Sequence, residues 1–287
     1  MAILSSDNGW HVDRLKTAIY QKGYSVSRVS FEELKAGVNY SSAVSGSHGE
    51  KLEDCRYIFV RIIPRGSLEQ IFLRMDILHV LEDRGVRVIN HPGSIEQTVN
   101  KYYTSTVLEK NGLPTPETLA TENFQGAMNY FKQKGDVILK PLFGSLGRGM
   151  VRLTDEETAY RVFRAWEMND YVFYLQEFIP HGHSDIRIFI CNNTILAHYV
   201  RKSNSWKTNI ARGGRGGPFE ITQQLKDMAL KAASLFNLDY CGVDIILRNG
   251  KLSNPYIIEI NSIPGWSELK KVTDINAGEE IVNSILP

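Results

Sequence analysis

The chain alternates short apolar runs with amphipathic stretches, and the pattern is sharpest in its last hundred residues. Cys241-Gly-Val-Asp-Ile-Ile-Leu247 and Tyr256-Ile-Ile-Glu-Ile-Asn261 are short, apolar and β-branched, which predicts two strands. Asp244, Glu259 and Asn261 are the polar side chains inside them. Side chains alternate along a strand, so Glu259 and Asn261 share one face. A hairpin with a six-residue loop sets Arg248 opposite Pro255 and Asp244 opposite Glu259. A tight turn at Asn249-Gly250 would instead set Asp244 against Pro255. The longer loop is preferred, because proline is best tolerated as the first residue of a strand.

Earlier in the chain, residues 2–6 and Tyr24–Ser30 predict strands around a helix that Asn8 caps and Gly23 ends. Ala36–Glu50, rich in Ser and Gly, reads as an exposed loop. Tyr57–Ile63 predicts a buried strand, Ser67–Arg84 a helix ending at Gly85, and Val86–Asn90 a further strand. This alternation predicts a small α/β domain with a parallel sheet. His91-Pro-Gly93 breaks it. Ser94–Lys110 predicts one helix, and Leu113-Pro-Thr-Pro116 a rigid link to a strand at Thr118–Thr121. Helices over Asn123–Lys134 and Asp155–Met168 flank strands at Asp136–Lys140 and Met150–Leu153. Tyr171–Phe178 is another strand, and Asp185–Cys191 with Ile195–Arg201 a hairpin. Ile221, Leu225, Met228, Ala229, Ala232, Leu235 and Phe236 make one helical face, and a short helix starts at Ala277.

Composition adds mainly exclusions. In 287 residues, 43% hydrophobic and 23% charged positions are ordinary for a globular protein. A net charge of +1 gives no strong field to draw nucleic acid or an anionic membrane. Cys55, Cys191 and Cys241 are far apart and odd in number, which fits a reducing cytosol. No apolar run approaches the ~20 residues of a membrane span. Met1-Ala-Ile-Leu-Ser-Ser carries no basic region or cleavage pattern, so a signal peptide is not expected.

Several stretches could carry chemistry. Opposed residues of a hairpin have Cβ atoms roughly 4.5–5.5 Å apart, and two carboxylates that close repel unless a cation sits between them. An all-oxygen set of Asp, Glu and Asn suits Mg²⁺. Taken alone, the two strands equally fit acidic residues edging a surface sheet. Gly144-x4-Gly149 fails as a Walker loop, since Met150-Val151 replaces Lys-Ser/Thr. A glycine loop between antiparallel strands can still offer backbone N–H groups to phosphates, with Lys140 supplying charge, or be a plain hairpin tip. Gln176-Glu177-Phe178-Ile179-Pro180 ends an apolar strand, where exposed backbone groups can read a planar base edge. Asp185 and Arg187 share a face, as a buried ion pair would. The most basic stretch holds Arg201, Lys202, Lys207, Arg212 and Arg215 around Trp206 and Arg212-Gly-Gly-Arg-Gly-Gly217. It reads as a cationic clamp for phosphate or carboxylate, or as a short RNA-binding segment. His181 and His183 lack a third metal ligand in sequence. Arg61 and Arg65, at a strand's C-terminal end, either grip a substrate carboxylate or are surface charges.

In order, these pieces resemble the ATP-grasp superfamily over roughly residues 90–287: Lys101, Lys140 before the glycine loop, Gln176–Ile179, Asp185-Ile-Arg187, Asn209-Ile-Ala-Arg-Gly-Gly214, Gly242-Val-Asp244 and Glu259-Ile-Asn261. Asp185-Ile-Arg187, the Asn209–Gly214 stretch and Ile63-Pro-Arg-Gly66 are similar to the RimK-type branch. The resemblance implies an α/β (α+β) fold: an N-terminal parallel-sheet domain over 1–93, a small central lid domain over 94–170 and a C-terminal antiparallel-sheet domain over 171–287.

It implies further that Lys101, Lys140, Gly144, Ser145 and Gly147 meet ATP phosphates. Gln176, Glu177, Phe178 and Ile179 would hold adenine and Asp185 the ribose, with Lys207, Thr208 and Asn209 also on the nucleotide. Asp244, Glu259 and Asn261 would hold two Mg²⁺ or Mn²⁺ ions. Arg212, assisted by Arg201 and Arg187, would stabilise the acyl-phosphate and tetrahedral states. Arg65, Asn209, Arg212 and Trp266 would contact the acceptor. The implied protein is a cytoplasmic, homo-oligomeric (dimer or tetramer) ADP-forming ligase that joins an amino acid, L-glutamate first, to a small-molecule carboxylate, with neither nucleic acid nor membrane as partner. Trp206-Lys-Thr-Asn209 resembles the small-substrate ligases, so a coenzyme acceptor of tetrahydromethanopterin or methanofuran type is preferred over a carrier or ribosomal protein. An RNA-binding module without catalysis is the alternative from another class.

Overall fold

A computed structural model describes residues 1–144, 147–210 and 213–287. Its first unit is a four-stranded parallel sheet of β1 (Ala2–Ser5), β2 (Ser27–Val29), β5 (Tyr57–Ile62) and β6 (Arg87–Ile89), in the order β2-β1-β5-β6. Helices α1 (Trp10–Gln21) and α2 (Leu68–Asp83) provide crossovers. Ser67 and Gln70 form a capping box that starts α2. The stretch read as an exposed loop instead contains a small hairpin, β3 (Lys35–Ala36) with β4 (Val44–Ser45). Glu53 holds it, accepting from the Ser42 hydroxyl at 2.6 Å and the Ala43 and Val44 N–H groups at 2.9 and 3.1 Å. Sequence periodicity is blind to such a side-chain-to-backbone clasp.

Two helices, α3 (Pro92–Val99) and α4 (Lys101–Lys110), replace the single helix expected over Ser94–Lys110. Asn100 divides them, ending α3 in extended backbone while its side chain accepts from the Tyr103 N–H at 3.1 Å. Asparagine competes for backbone donors in this way, which makes it a better cap than helix interior.

The second unit is an antiparallel sheet of β7 (Thr118–Thr121), β8 (Val137–Lys140), β9 (Val151–Leu153) and β10 (Phe173–Glu177), in the order β7-β10-β8-β9. Helices α5 (Phe124–Lys134) and α6 (Glu156–Glu167) pack Phe131 and Phe163 on its Leu139, Phe173 and Leu175. Strand β10 therefore belongs with this central sheet rather than with the segment beginning at 171.

The third unit is a five-stranded antiparallel sheet of β11 (Ser184–Cys191), β12 (Thr194–Lys202), β13 (Arg215–Gly217), β14 (Tyr240–Leu247) and β15 (Pro255–Asn261). The strand order is β13-β12-β11-β14-β15. One face, with Ile186, Ile188, Val243 and Ile245, is covered by Leu225, Met228 and Ala232 of α7 (Gln223–Ser234). Leu108 of α4 and Leu113 join this core, so α4 packs on the third sheet. On the other face, Phe189, Tyr199 and Tyr240 pack against Ile3 and Phe59 of the first sheet and against α8 (Ala277–Ile285). The rest of that face is polar and opens toward the central unit. Among the described residues, no helix is long and apolar enough to cross a membrane.

Candidate active site

The site grows from the polar face of the third sheet. Leu247 pairs with Pro255, one residue off the expected register. Continued unbroken, that pairing would set Glu259 opposite Val243 and turn it toward α7. An irregularity in the ladder at Ile258 absorbs the extra residue, so Asp244 pairs with Glu259 and Gly242 with Asn261. The three oxygen-bearing side chains thus share one face.

Alternation carries the row across the sheet. Arg201 pairs with Asp185, Arg187 with Asp244, and Asp244 with Glu259. Arg201 Nε donates to Asp185 Oδ1, and its Nη2 to Asp244 Oδ2, both at 2.7 Å. Arg187 holds Asp244 through Nε and, at 2.7 Å, through Nη2. The Thr208 hydroxyl donates to Asp185 Oδ2 at 2.7 Å, which pins the Trp206–Asn209 segment to the row. A Cβ on Gly242 would lie 2.7 Å from Arg187 Nη1, so glycine there lets the guanidinium cross to its partner. Burial disfavours the charge on Asp244, yet Arg187 and Arg201 outweigh it and hold its carboxyl below the usual carboxylate range.

Two lysines face this row from the other elements. Lys101, the first residue of α4, donates to the Gly144 carbonyl at 2.8 Å. Lys140, at the end of β8, is buried and donates to Gln176 Oε1. Burial pushes the Lys140 ammonium down to about 8, the nearby Lys101 charge adds to this, and Glu259 opposes it. Burial also lowers Lys101, against the pull of Glu259. The glycine loop joins β8 to β9. Gly149 has φ +73, and a Cβ there would come within 2.8 Å of Pro141 Cγ. The loop can therefore hug Pro141 only with glycine at that position. Lys207 donates to the Met150 carbonyl at 2.7 Å, tying the Trp206 segment to the far end of this loop.

At the strand end, Arg248 pairs with Glu177, and the Asn249 N–H donates to the Pro180 carbonyl at 2.6 Å. The β14–β15 loop thus clasps the segment after β10. Phe178 lies beneath Arg152, whose guanidinium is 3.5 Å from the ring centroid and is itself held by Asp136 at 2.7 and 2.8 Å.

Between the two sheets lies a cleft that is partly open to solvent. It brings together Lys101, Lys140, Glu177, Asp185, Asp244 and Glu259 with the Gly144 and Gly147 loop. Gln176, Ile179, Arg201, Lys207, Thr208 and Asn209 line it too. Arg148, Met150 and Ile246 also line it, and the motifs did not single them out. Ser145 and Arg212 lie outside the described residues.

Other anticipated residues sit elsewhere. Trp266 is 2% exposed and packs in the core against His11, Phe189, Tyr240 and Arg61, so it does not shape the cleft. Its large apolar ring wins more by burial there than a pocket wall would give it. Arg61 grips no substrate either: it is buried, donating to the Tyr240 hydroxyl at 3.1 Å and the Pro264 carbonyl at 2.9 Å. Arg65 is exposed and does not line the cleft. Arg187 stands behind Asp244 rather than in the lining, and Asn261 Oδ1 accepts from the Ile263 N–H at 3.1 Å. Arg215-Gly-Gly217 is strand β13, paired with Val200–Lys202, an ordered sheet edge rather than a disordered RNA-binding tract.

Lysines thus stand on one wall of a cleft between two antiparallel sheets, and paired carboxylates on the other. Residues 98–285 match the RimK-like ATP-grasp domain. The chain belongs to this family. It is 30% identical over 292 residues to a tetrahydromethanopterin:α-L-glutamate ligase of Methanococcus maripaludis, covering 100% of this chain and 97% of that one. A ligase of the same name from Methanocaldococcus jannaschii is 35% identical over 222 residues, 75% of each chain. Among solved structures, an ATP-grasp RimK domain protein of Sphaerobacter thermophilus superposes with a TM-score of 0.78 at 15% identity, over 100% and 99% of the two chains. The RimK-like chain is accordingly an enzyme, an ADP-forming ligase that makes C–N bonds using ATP and a divalent metal.

The residues present fit such a metal. Asp244 and Glu259 are opposed on one face beside Asn261, an all-oxygen donor set. Among the described residues no cluster of three His, Cys, Asp or Glu that could hold a metal occurs; the set here is two carboxylates and an amide, with Asp244 also accepting from Arg187 and Arg201.

Proposed function

We propose that this ligase activates the carboxylate of a small coenzyme precursor and joins it to the amino group of L-glutamate. The carrying observation is the opposition of the Asp244–Glu259 pair to Lys101 and Lys140 across one cleft. Such a wall pair matches a triphosphate bearing metal on one side and bare anionic oxygens on the other. The acceptor carboxylate oxygen attacks the γ-phosphorus, and the bond to the β-phosphate oxygen breaks to release ADP. The glutamate amine then attacks the acyl carbon, loses its proton, and phosphate departs.

Lys101 and Lys140 balance phosphate charge, with Gly144 and Gly147 offering backbone donors. Gln176, Glu177, Phe178 and Ile179 frame the adenine end, where Arg248 and Asn249 fix the segment. Asp185 meets the ribose with the carboxylate that already carries Arg201 and Thr208; two oxygens have lone pairs enough for all three. Lys207 and Asn209 close over the nucleotide. Asp244, Glu259 and Asn261 would hold two Mg²⁺ or Mn²⁺ ions, which neutralise charge on the phosphates. Arg187 and Arg201 fix Asp244, and Arg212 with Asn209 stabilises the acyl phosphate and the tetrahedral state.

The relatives' tetrahydromethanopterin acceptor and glutamate donor support a pterin-type acceptor here. A reducing cytoplasm suits Cys55, Cys191 and Cys241, all free thiols. A dimer or tetramer is the assembly we infer from the family. ADP release with ATP, Mg²⁺, L-glutamate and a panel of pterin-type carboxylates tests the reading. Glu259→Gln should lower turnover by roughly a hundredfold or more. Full activity of that variant would remove Glu259 from the metal site. Turnover only with a carrier protein would replace the coenzyme acceptor.

A further inference from the structure

The chemistry above uses none of the first unit, yet one of its side chains reaches the hairpin that carries Asp244, Glu259 and Asn261. Asn90 follows β6 and is fully buried. Its Nδ2 donates to the Tyr240 carbonyl at 2.8 Å and to the Ser262 carbonyl at 2.6 Å. Its Oδ1 accepts from the N–H groups of Asp239 at 2.7 Å and Tyr240 at 3.2 Å. Both donors and both lone pairs of the amide are therefore used. Tyr240 opens β14, and Ser262 follows the last residue of β15. One amide thus bridges both strands at the end where Gly242 pairs with Asn261.

Ser262 is held a second time. Thr98 Oγ1 donates to Ser262 Oγ at 2.8 Å. Thr98 sits on α3, just before the break at Asn100 that presents Lys101. Across that break, Thr104 Oγ1 donates to the Gln97 carbonyl at 3.0 Å.

We propose that Asn90 is a positioning residue for the metal-holding side chains. It fixes the separation and register of β14 and β15 at their open end, away from the connecting loop, and the Thr98–Ser262 bond ties the same point to the helix pair presenting Lys101. The physical need is local. The ladder is irregular between Asp244 and Ile245, and a one-residue slip would turn Glu259 to the α7 face. The β14–β15 loop is clasped to Glu177 and Pro180 at the opposite end, so the Asn90 end needs its own anchor. This inference rests on the reading of Asp244, Glu259 and Asn261 as the metal-holding set.

The test compares Asn90→Asp and Thr98→Val with the parent and with Glu259→Gln. Mn²⁺ binding is followed by electron paramagnetic resonance with AMPPNP present, and AMPPNP binding is measured separately in EDTA. Asn90→Asp sets a carboxylate against two carbonyls. It should weaken Mn²⁺ roughly ten- to a hundredfold, as lost outer-shell support does, with metal-free nucleotide affinity changed by less than about twofold. Thr98→Val should shift Mn²⁺ affinity the same way by less. Where Asn90→Asp does not fold by circular dichroism, Thr98→Val decides. Parent-like Mn²⁺ affinity in the folded variants, with Glu259→Gln weakened, overturns the positioning role alone. Parent-like affinity in Glu259→Gln overturns the metal assignment instead.

Discussion

At the scale of single residues, environment rather than identity sets the chemistry. Lys140 is an ordinary lysine in sequence, but burial, helped by Lys101, brings its ammonium from 10.5 down to about 8. On the proposed reading, Lys140 balances ATP phosphate charge and must be protonated to do so. For the free enzyme, kcat/KM for ATP should therefore fall as pH rises through about 8. Lys140→Arg, whose guanidinium stays charged, should move that limb to higher pH. A pH–rate profile unchanged by the substitution would assign the limb to another group. The stability consequence has a definite sign. The folded value lies below the unfolded one, so the unfolded chain binds more protons between about 8 and 10.5, and the ATP-free protein gains stability over that window. Trp266 makes the complementary point. A tryptophan beside a metal motif resembles a pocket wall, but the aromatic surroundings that bury it come from distant segments.

At the scale of elements, short-range signals were legible where they are local. Strands β7, β11, β12 and β14 and helices α2 and α7 follow from apolar periodicity, with the structure adding the Ser67 and Thr222 caps. The β14–β15 register was not fully legible. The expected opposition of Asp244 and Glu259 does occur, but by a different route: a loop one residue longer, compensated by the irregularity at Ile258. No local signal marks Ile258, because the extra residue is set by what both hairpin ends must reach. The helix break at Asn100, by contrast, has a local cause, because an asparagine within the periodic run caps a new helix rather than continuing the old one. Asn100→Ala should remove its cap, costing about 1 kcal/mol in urea unfolding. It should also raise KM for ATP more than it lowers kcat, since Lys101 opens α4 at that cap. An unchanged KM would detach Lys101 from nucleotide binding.

At the scale of the whole molecule, the first and third units are fastened together. Arg61 stacks on Trp266 at 4.2 Å and donates to Tyr240 and Pro264, while the Trp266 N–H donates to His11 Nε2 at 3.0 Å. Burial, then the Arg61 charge, lowers His11 to about 4, so it stays a neutral acceptor at physiological pH. Arg61→Met should cost roughly 2–4 kcal/mol, since buried hydrogen bonds to a charged group are lost and two acceptors are left dry. Chemical denaturation reads this, and a change within about 0.5 kcal/mol would make the fastening incidental.

The sequence by itself determined the alternation of strands and helices and the ordered motifs that carry the family, and the family resemblance in turn implied the three-sheet plan. These depend on local periodicity and on residue types that chemistry requires in a fixed order. Only the tertiary structure decided that Arg187 and Arg201 share Asp244, that β10 sits in the central sheet, and that Arg61, Asn90 and Trp266 serve the interface rather than the substrate. Each of those outcomes is a contact between residues far apart in the chain, and the partner of a buried polar group is chosen by the space that folding leaves around it.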